Sequence, residues 1–136
     1  MRQDSQTVGP DITVDRVVRD YMYRLNRKFV VVADGEHAIG YIGPEQIRKI
    51  HQSDWPDTYA RAAAARFTHE TAVSPQTSAI EALRKLQSNG IGYAAVLEGN
   101  RPIGVLSETD FINYLSVREE LARPPAARGD RKPLRR

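Results

Sequence analysis

Ser107 and Asp110 are the residues whose type and spacing could do chemistry, and they stand in IGVLSETDF, residues 103–111. A serine followed three residues later by a carboxylate, at the edge of a helical pattern, has two readings. One is a capping box, in which hydroxyl and carboxylate satisfy free N–H groups at a helix start. The other is a nucleotide corner. A helix N-terminus offers N–H donors and a partial positive charge to a phosphate, and an acidic residue one turn in accepts hydrogen bonds from paired ribose hydroxyls. A second stretch, IGYIGPEQI at residues 39–47, lies 64 positions earlier and carries Gly43 and Gln46 in the corresponding places. Gly43-Pro44 is also a competent helix start, so capping alone does not demand the Ser and Asp.

Other chemistry is hard to find. No H-E-x-x-H, G-x-S-x-G, Walker A or G-x-G-x-x-G pattern occurs. His37, His51 and His69 have neither a carboxylate nor a second histidine at i+4, and Glu119-Glu120 falls at the exposed end of a helical pattern. With no cysteine there is no disulfide or thiolate metal site. The expectation is a non-enzymatic chain that requires no cofactor and no metal.

The elements that position Ser107 and Asp110 come as a repeat. V8-G-P-D-I-T-V-D-R-V-V aligns with V73-S-P-Q-T-S-A-I-E-A-L at an offset of 65, whereas Gly35, Gly40 and Ile47 align with Gly99, Gly104 and Phe111 at 64. Copy 2 is one residue shorter in between. In copy 1, Val14, Val17, Val18, Tyr21, Met22 and Leu25 recur at helical spacing behind Thr13 as N-cap. FVVVAD, the turn DGE and AIGYIG then read as two strands, and PEQIRKI as a closing helix. In copy 2 a Ser78/Glu81 capping box opens a helix through Leu83 and Leu86 that ends at Asn89-Gly90. YAAVLE, the turn GN, PIGVLS and TDFINYLSVREEL complete the set. Residues 51–71 are a connector whose Ala-rich segment predicts a short helix packed across the junction, anchored by Trp55.

A 136-residue chain of 40% hydrophobic and 27% charged residues is one ordinary domain, and no stretch approaches the roughly 20 apolar residues of a membrane helix. MRQDSQTVGP has no apolar run of the kind a secretion signal carries, and a cytoplasmic setting is expected. Residues 123–136 hold six Arg/Lys and one Asp, so the net charge of +3 becomes −2 for residues 1–122. That tail reads as a disordered Pro/Arg-rich segment, with nucleic-acid or anionic-membrane contact a weaker alternative. Units of about 60 residues cannot bury both faces alone. The copies are therefore expected to pack about a pseudo-two-fold axis, with motif 1 at 1–50, the connector at 51–71 and motif 2 at 72–122.

This order, with I-G-V-L-S-E-T-D-F in copy 2, resembles the CBS domain family, in which two motifs pair as a Bateman module. The family signature is a Gly, a hydrophobic pair, Ser/Thr, two variable residues and Asp, here Gly104, Val105, Leu106, Ser107 and Asp110. The resemblance covers about residues 8–118. It implies an α/β (α+β) fold of two pseudo-symmetric motifs, each helix-strand-strand-helix with a short leading strand. It also implies a regulatory ligand, AMP, ADP, ATP or S-adenosylmethionine, with Asp110 on the ribose and Ser107 on phosphate or ribose. Adenine would lie against Thr71, Ala72 and Val73, and near Gly92 and Tyr93. Gly43 and Gln46 depart from the signature, which implies that copy 1 has become scaffold. A homodimer is implied as well. A finer resemblance runs from VGPDITVDRVVRDYMYRLNRKFVVVADGEHAIGYI into the W-P connector, and it is to the CBS pair appended to bacterial site-2 intramembrane metalloproteases. This sequence carries no zinc-binding helix of that kind, so the resemblance implies control of a protease or another effector, not proteolysis.

Overall fold

The computed structural model describes residues 7–123. The basic tail therefore lies outside the described residues, Arg123 excepted. Copy 1 comprises β1 (Thr7–Val8), α1 (Val14–Arg16) running into a π-helix (Val17–Tyr23), β2 (Val30–Asp34), β3 (His37–Ile42) and α2 (Pro44–Arg48). After a 3-10 helix (Gln52–Asp57) and α3 (Ala60–Ala63), copy 2 comprises β4 (Ala72–Val73), α4 (Ala79–Ser88), β5 (Tyr93–Glu98), β6 (Arg101–Ser107) and α5 (Glu108–Ala122). Two three-stranded sheets result, ordered β1-β2-β3 and β4-β5-β6. In each, the short leading strand is parallel to the middle strand and the hairpin is antiparallel. The expected mixed fold of two pseudo-symmetric halves is present down to its irregularities. The hairpin register shifts between Val32 and Ala33 in one sheet and between Val96 and Leu97 in the other. Each two-residue turn opens on a glycine at positive φ, Gly35 at 61° and Gly99 at 64°.

Strand alternation explains the layering, because successive side chains point to opposite faces. Val30 and Val32 pack with Val14, Val17 and Val18 in the core of copy 1, while Phe29 and Val31 face the other way. Ala94 packs with Val73, Ala82 and Leu86 in copy 2, while Ala95 and Tyr93 face back. The inward faces meet in a middle cluster shared by both copies. The order is helices, sheet, sheet, helices, as two units too small to stand alone require.

Helical spacing in copy 1 predicts one regular amphipathic helix; the structure gives a short α-turn followed by seven π-helical residues. The reason is the offset slip. From the N-cap Thr13 to Asn26, whose φ of 56° stops the helix, is thirteen positions, whereas from Ser78 to Gly90, at φ 83°, is twelve. The wider i→i+5 winding absorbs the surplus residue, with the Arg24 N–H donating to the Arg19 carbonyl at 3.2 Å. The strands downstream keep their register.

The connector packs on copy 1. Ala60 is buried in that core, and Trp55 packs beside it with its indole N–H donating to the Ile50 carbonyl at 3.2 Å. Further on, Ala65 and Tyr41 exchange backbone hydrogen bonds of 2.8 and 2.9 Å, so the chain runs along the outer edge of β3. Phe67 then reaches the middle cluster against Tyr41.

Candidate functional site

Ser107 ends β6 and caps α5, and its Oγ accepts the Asp110 N–H at 3.0 Å. That is half of a capping box. The other half, a carboxylate bond back to the residue 107 N–H, is not formed among the described residues. In copy 1 the halves are reversed: Gly43 has no hydroxyl, and Gln46 Oε1 takes the Gly43 N–H at 2.8 Å. Gln46 is thus folded back onto its own helix start, while the Asp110 carboxylate stands at the exposed mouth of a cleft.

That cleft, of about 250 Å³, has Ser107, Thr109, Asp110, Val105 and Tyr93 on the side of copy 2. Its opposite wall is Asn26, Arg27, Lys28 and Phe29, the loop of copy 1 between the π-helix and β2. A second cleft, of about 220 Å³, is its pseudo-symmetric counterpart at α2: Gly43, Glu45, Gln46 and Tyr41 face Gly90, Ile91 and Tyr93. Burial, and then the Glu45 charge, push the Tyr41 phenol above its ordinary pKa, so it stays a neutral ring there. Each cleft therefore draws its cap from one copy and its opposite wall from the other.

Phe29 and Tyr93, equivalent at the offset of 64, stack on each other with centroids 5.7 Å apart and an interplanar angle of 6°. These two rings and Lys28 line both clefts. As pseudo-equivalents in contact, the two rings lie astride the pseudo-axis and border both clefts.

Of the seven residues singled out in the sequence, the structure brings Ser107, Asp110 and Tyr93 together on one cleft. Gly92 is not on its lining: at φ 76°, it uses its carbonyl to accept the Glu108 N–H at 2.8 Å, tying the start of β5 to α5. Thr71, Ala72 and Val73 do not line the cleft either. β4 lies beyond β5 from β6, on the far edge of the sheet. The buried Thr71 hydroxyl accepts the Thr68 N–H at 2.8 Å, the Ala72 carbonyl accepts from Lys85 Nζ, and Val73 fills the core of copy 2. The residues that sequence reasoning missed are Asn26, Arg27, Lys28 and Phe29. Their signal was the offset: Asn26 corresponds to Gly90 and Phe29 to Tyr93, so a pseudo-two-fold must present the loop of copy 1 wherever Gly90–Tyr93 is used.

No group of three or more His, Asp or Glu residues that could hold a metal occurs among the described residues, and no helix among them is long and apolar enough to cross a membrane.

Comparison with known proteins agrees with the fold. Residues 56–117, which span most of the connector and copy 2 as far as Val117, match the family model of the CBS domain. No curated protein matches the chain. Among solved structures, the fold is similar to that of a protein assigned to acetoin utilization (AcuB) from Vibrio cholerae, at 21% identity and TM-score 0.73, over 91% of this chain and 94% of that one. It is similar to the CBS domains of a transcriptional regulator from Streptococcus pneumoniae, at 12% identity and TM-score 0.70, over 83% and 92%. A third likeness is to the CBS domain of a bacterial CNNM/CorC family Mg2+ transporter in complex with ATP, at 15% identity and TM-score 0.66, over 85% and 83%. These likenesses extend over both copies, so the paired fold is that of CBS-domain structures.

Proposed function

We propose that this chain is a non-enzymatic regulatory module that binds an adenosyl ligand, AMP, ADP, ATP or S-adenosylmethionine, in the cleft capped by α5. The observation that carries the reading is the unused half of the cap. Ser107 alone serves the helix start, and the Asp110 carboxylate is left at the cleft, where it can accept two ribose hydroxyls. The ATP complex of the CNNM/CorC transporter domain supports the ligand class on a shared fold. Binding would act by favouring one packing of the copies, or of two modules, over another. The controlled partner would be a separate domain or protein, with an intramembrane protease the candidate raised by resemblance, and the module would work in the cytoplasm.

The test is a thermal-melt panel of the chain with AMP, ADP, ATP, S-adenosylmethionine and NADH, beside Asp110→Ala. A ligand at about 100 times its dissociation constant stabilises the fold by about 2.7 kcal/mol, worth several degrees. The expected outcome is a shift with at least one adenosyl ligand that disappears in Asp110→Ala while the unliganded melt is preserved. No shift with any of them at millimolar concentration would leave the second reading, a ligand-free dimerisation module. One observation favours that rival: α5 has no buried residue, and Tyr114, Val117 and Leu121 are exposed at i, i+3, i+7 spacing. Dimerisation through this stripe is compatible with both readings; a dimer without a ligand is what the rival requires.

A further inference from the structure

We infer that the cleft capped by α5 selects a phosphate-bearing ligand over a cationic one, and that Arg27 and Lys28, from the opposite copy, are its anion-binding residues. The inference rests on the adenosyl reading above and narrows it. Two cations, Arg27 and Lys28, line the cleft against one carboxylate, Asp110. The loop does not need them to close: at the offset of 64 they correspond to Ile91 and Gly92 of copy 2, where the same loop carries no charge, although Lys28 borders the second cleft as well.

Most arginines of the described chain are neutralised locally, Arg16 by Asp20, Arg19 by Asp15, Arg84 by Glu81 and Arg101 by Glu98. Lys28 is exposed and, like Lys49, forms no ion pair among the described residues. The loop that carries the cations is also held in place. Asn26 adopts a left-handed backbone conformation, and the Arg27 N–H donates to the Tyr21 carbonyl at 3.2 Å. The backbone that carries the cations is thus set before binding, and only their side chains remain to be ordered.

The two walls divide the labour. Asp110 takes the ribose on the side of copy 2, and the phosphate extends across the cleft towards Arg27 and Lys28, where charge-assisted bonds are strongest. The positive end of α5, a fifteen-residue helix, adds to the same field. A ligand bearing a sulfonium and an ammonium meets repulsion from both.

The test is titration calorimetry of the full chain with AMP, ATP, adenosine and S-adenosylmethionine, repeated on Lys28→Gln, Arg27→Gln and Asp110→Asn. AMP is expected to bind at least about tenfold tighter than adenosine, the size of effect a charged hydrogen bond carries, with S-adenosylmethionine weaker again. Lys28→Gln is expected to remove most of the advantage of AMP while leaving adenosine within about twofold, and the advantage should shrink with added salt. Because Lys28 is exposed, its variant keeps the test open if Arg27→Gln does not fold. Adenosine or S-adenosylmethionine binding as tightly as AMP, or an AMP advantage untouched in Lys28→Gln, overturns this inference and leaves the adenosyl reading intact. Failure of all four ligands to bind overturns both, and binding unaffected by Asp110→Asn overturns the ribose assignment on its own.

Discussion

Gly40 lies where β3 meets the connector, and a Cβ built there would stand 2.5 Å from the Ala65 carbonyl oxygen and 3.0 Å from Ala64 Cβ. The obstacle is backbone held by the exchange of bonds between Ala65 and Tyr41, so it cannot swing aside as a side chain would. Gly40→Ala is expected to cost about 1–3 kcal/mol, as overpacking does, read as a fall in the urea midpoint; an unchanged midpoint would mean that the connector does not hold this edge. The helix cap offers a second contrast. Ser107→Ala removes a formed bond and is expected to cost about 1 kcal/mol, whereas Asp110→Ala removes none from the cap and is expected to leave the urea midpoint near that of the parent chain. Equal losses for the two would mean that the carboxylate supports the fold after all. The Ser107–Asp110 corner was legible in the sequence because a cap at a helix start is a local pattern. The placing of Arg27 and Lys28 opposite it was not, since that juxtaposition exists only after two segments more than 75 residues apart have packed together.

At the scale of elements, the π-helix makes the sharpest forecast. Copy 1 holds one residue more than copy 2 between cap and stop, and winding absorbs it. Deleting the exposed Arg19 should let the segment rewind as an α-helix with the strands still in register, whereas deleting Arg84 from the ten-residue α4 leaves no slack and should rotate every residue after it. The expected result is a deletion of Arg19 that keeps a cooperative thermal transition within a few degrees of the parent, and a deletion of Arg84 that loses it; equal damage from both would refute the idea of a surplus residue. Periodicity in Val14–Leu25 announced a helix but not its type, because π- and α-winding bury much the same residues over two turns. The offset slipping from 65 to 64 carried the missing information. It counted the extra residue without saying whether helix or loop had taken it in.

For the whole molecule, the two halves differ in what they show to the outside. Copy 1 exposes Tyr23 and Leu25 beside the ion pairs Asp15–Arg19 and Arg16–Asp20, and α4 of copy 2 carries Glu81–Arg84, while α5 of copy 2 exposes Tyr114, Val117 and Leu121 along a single helix. Association through copy 2 is therefore expected, and Val117→Glu should convert a dimer into a monomer by light scattering with the melt little changed. A parent chain that is monomeric at tens of micromolar would remove that interface from consideration. The crossed construction of the clefts bears on how this molecule can change over time. After a duplication, a half that has lost its own Ser and Asp would ordinarily be free to decay. Here the half without the Ser and Asp supplies the facing wall of the cleft that has them, through Asn26, Arg27, Lys28 and Phe29. A lesion in the loop of the first repeat would thus surface as a defect in the second, and neither repeat could be inherited, transplanted or discarded without the other.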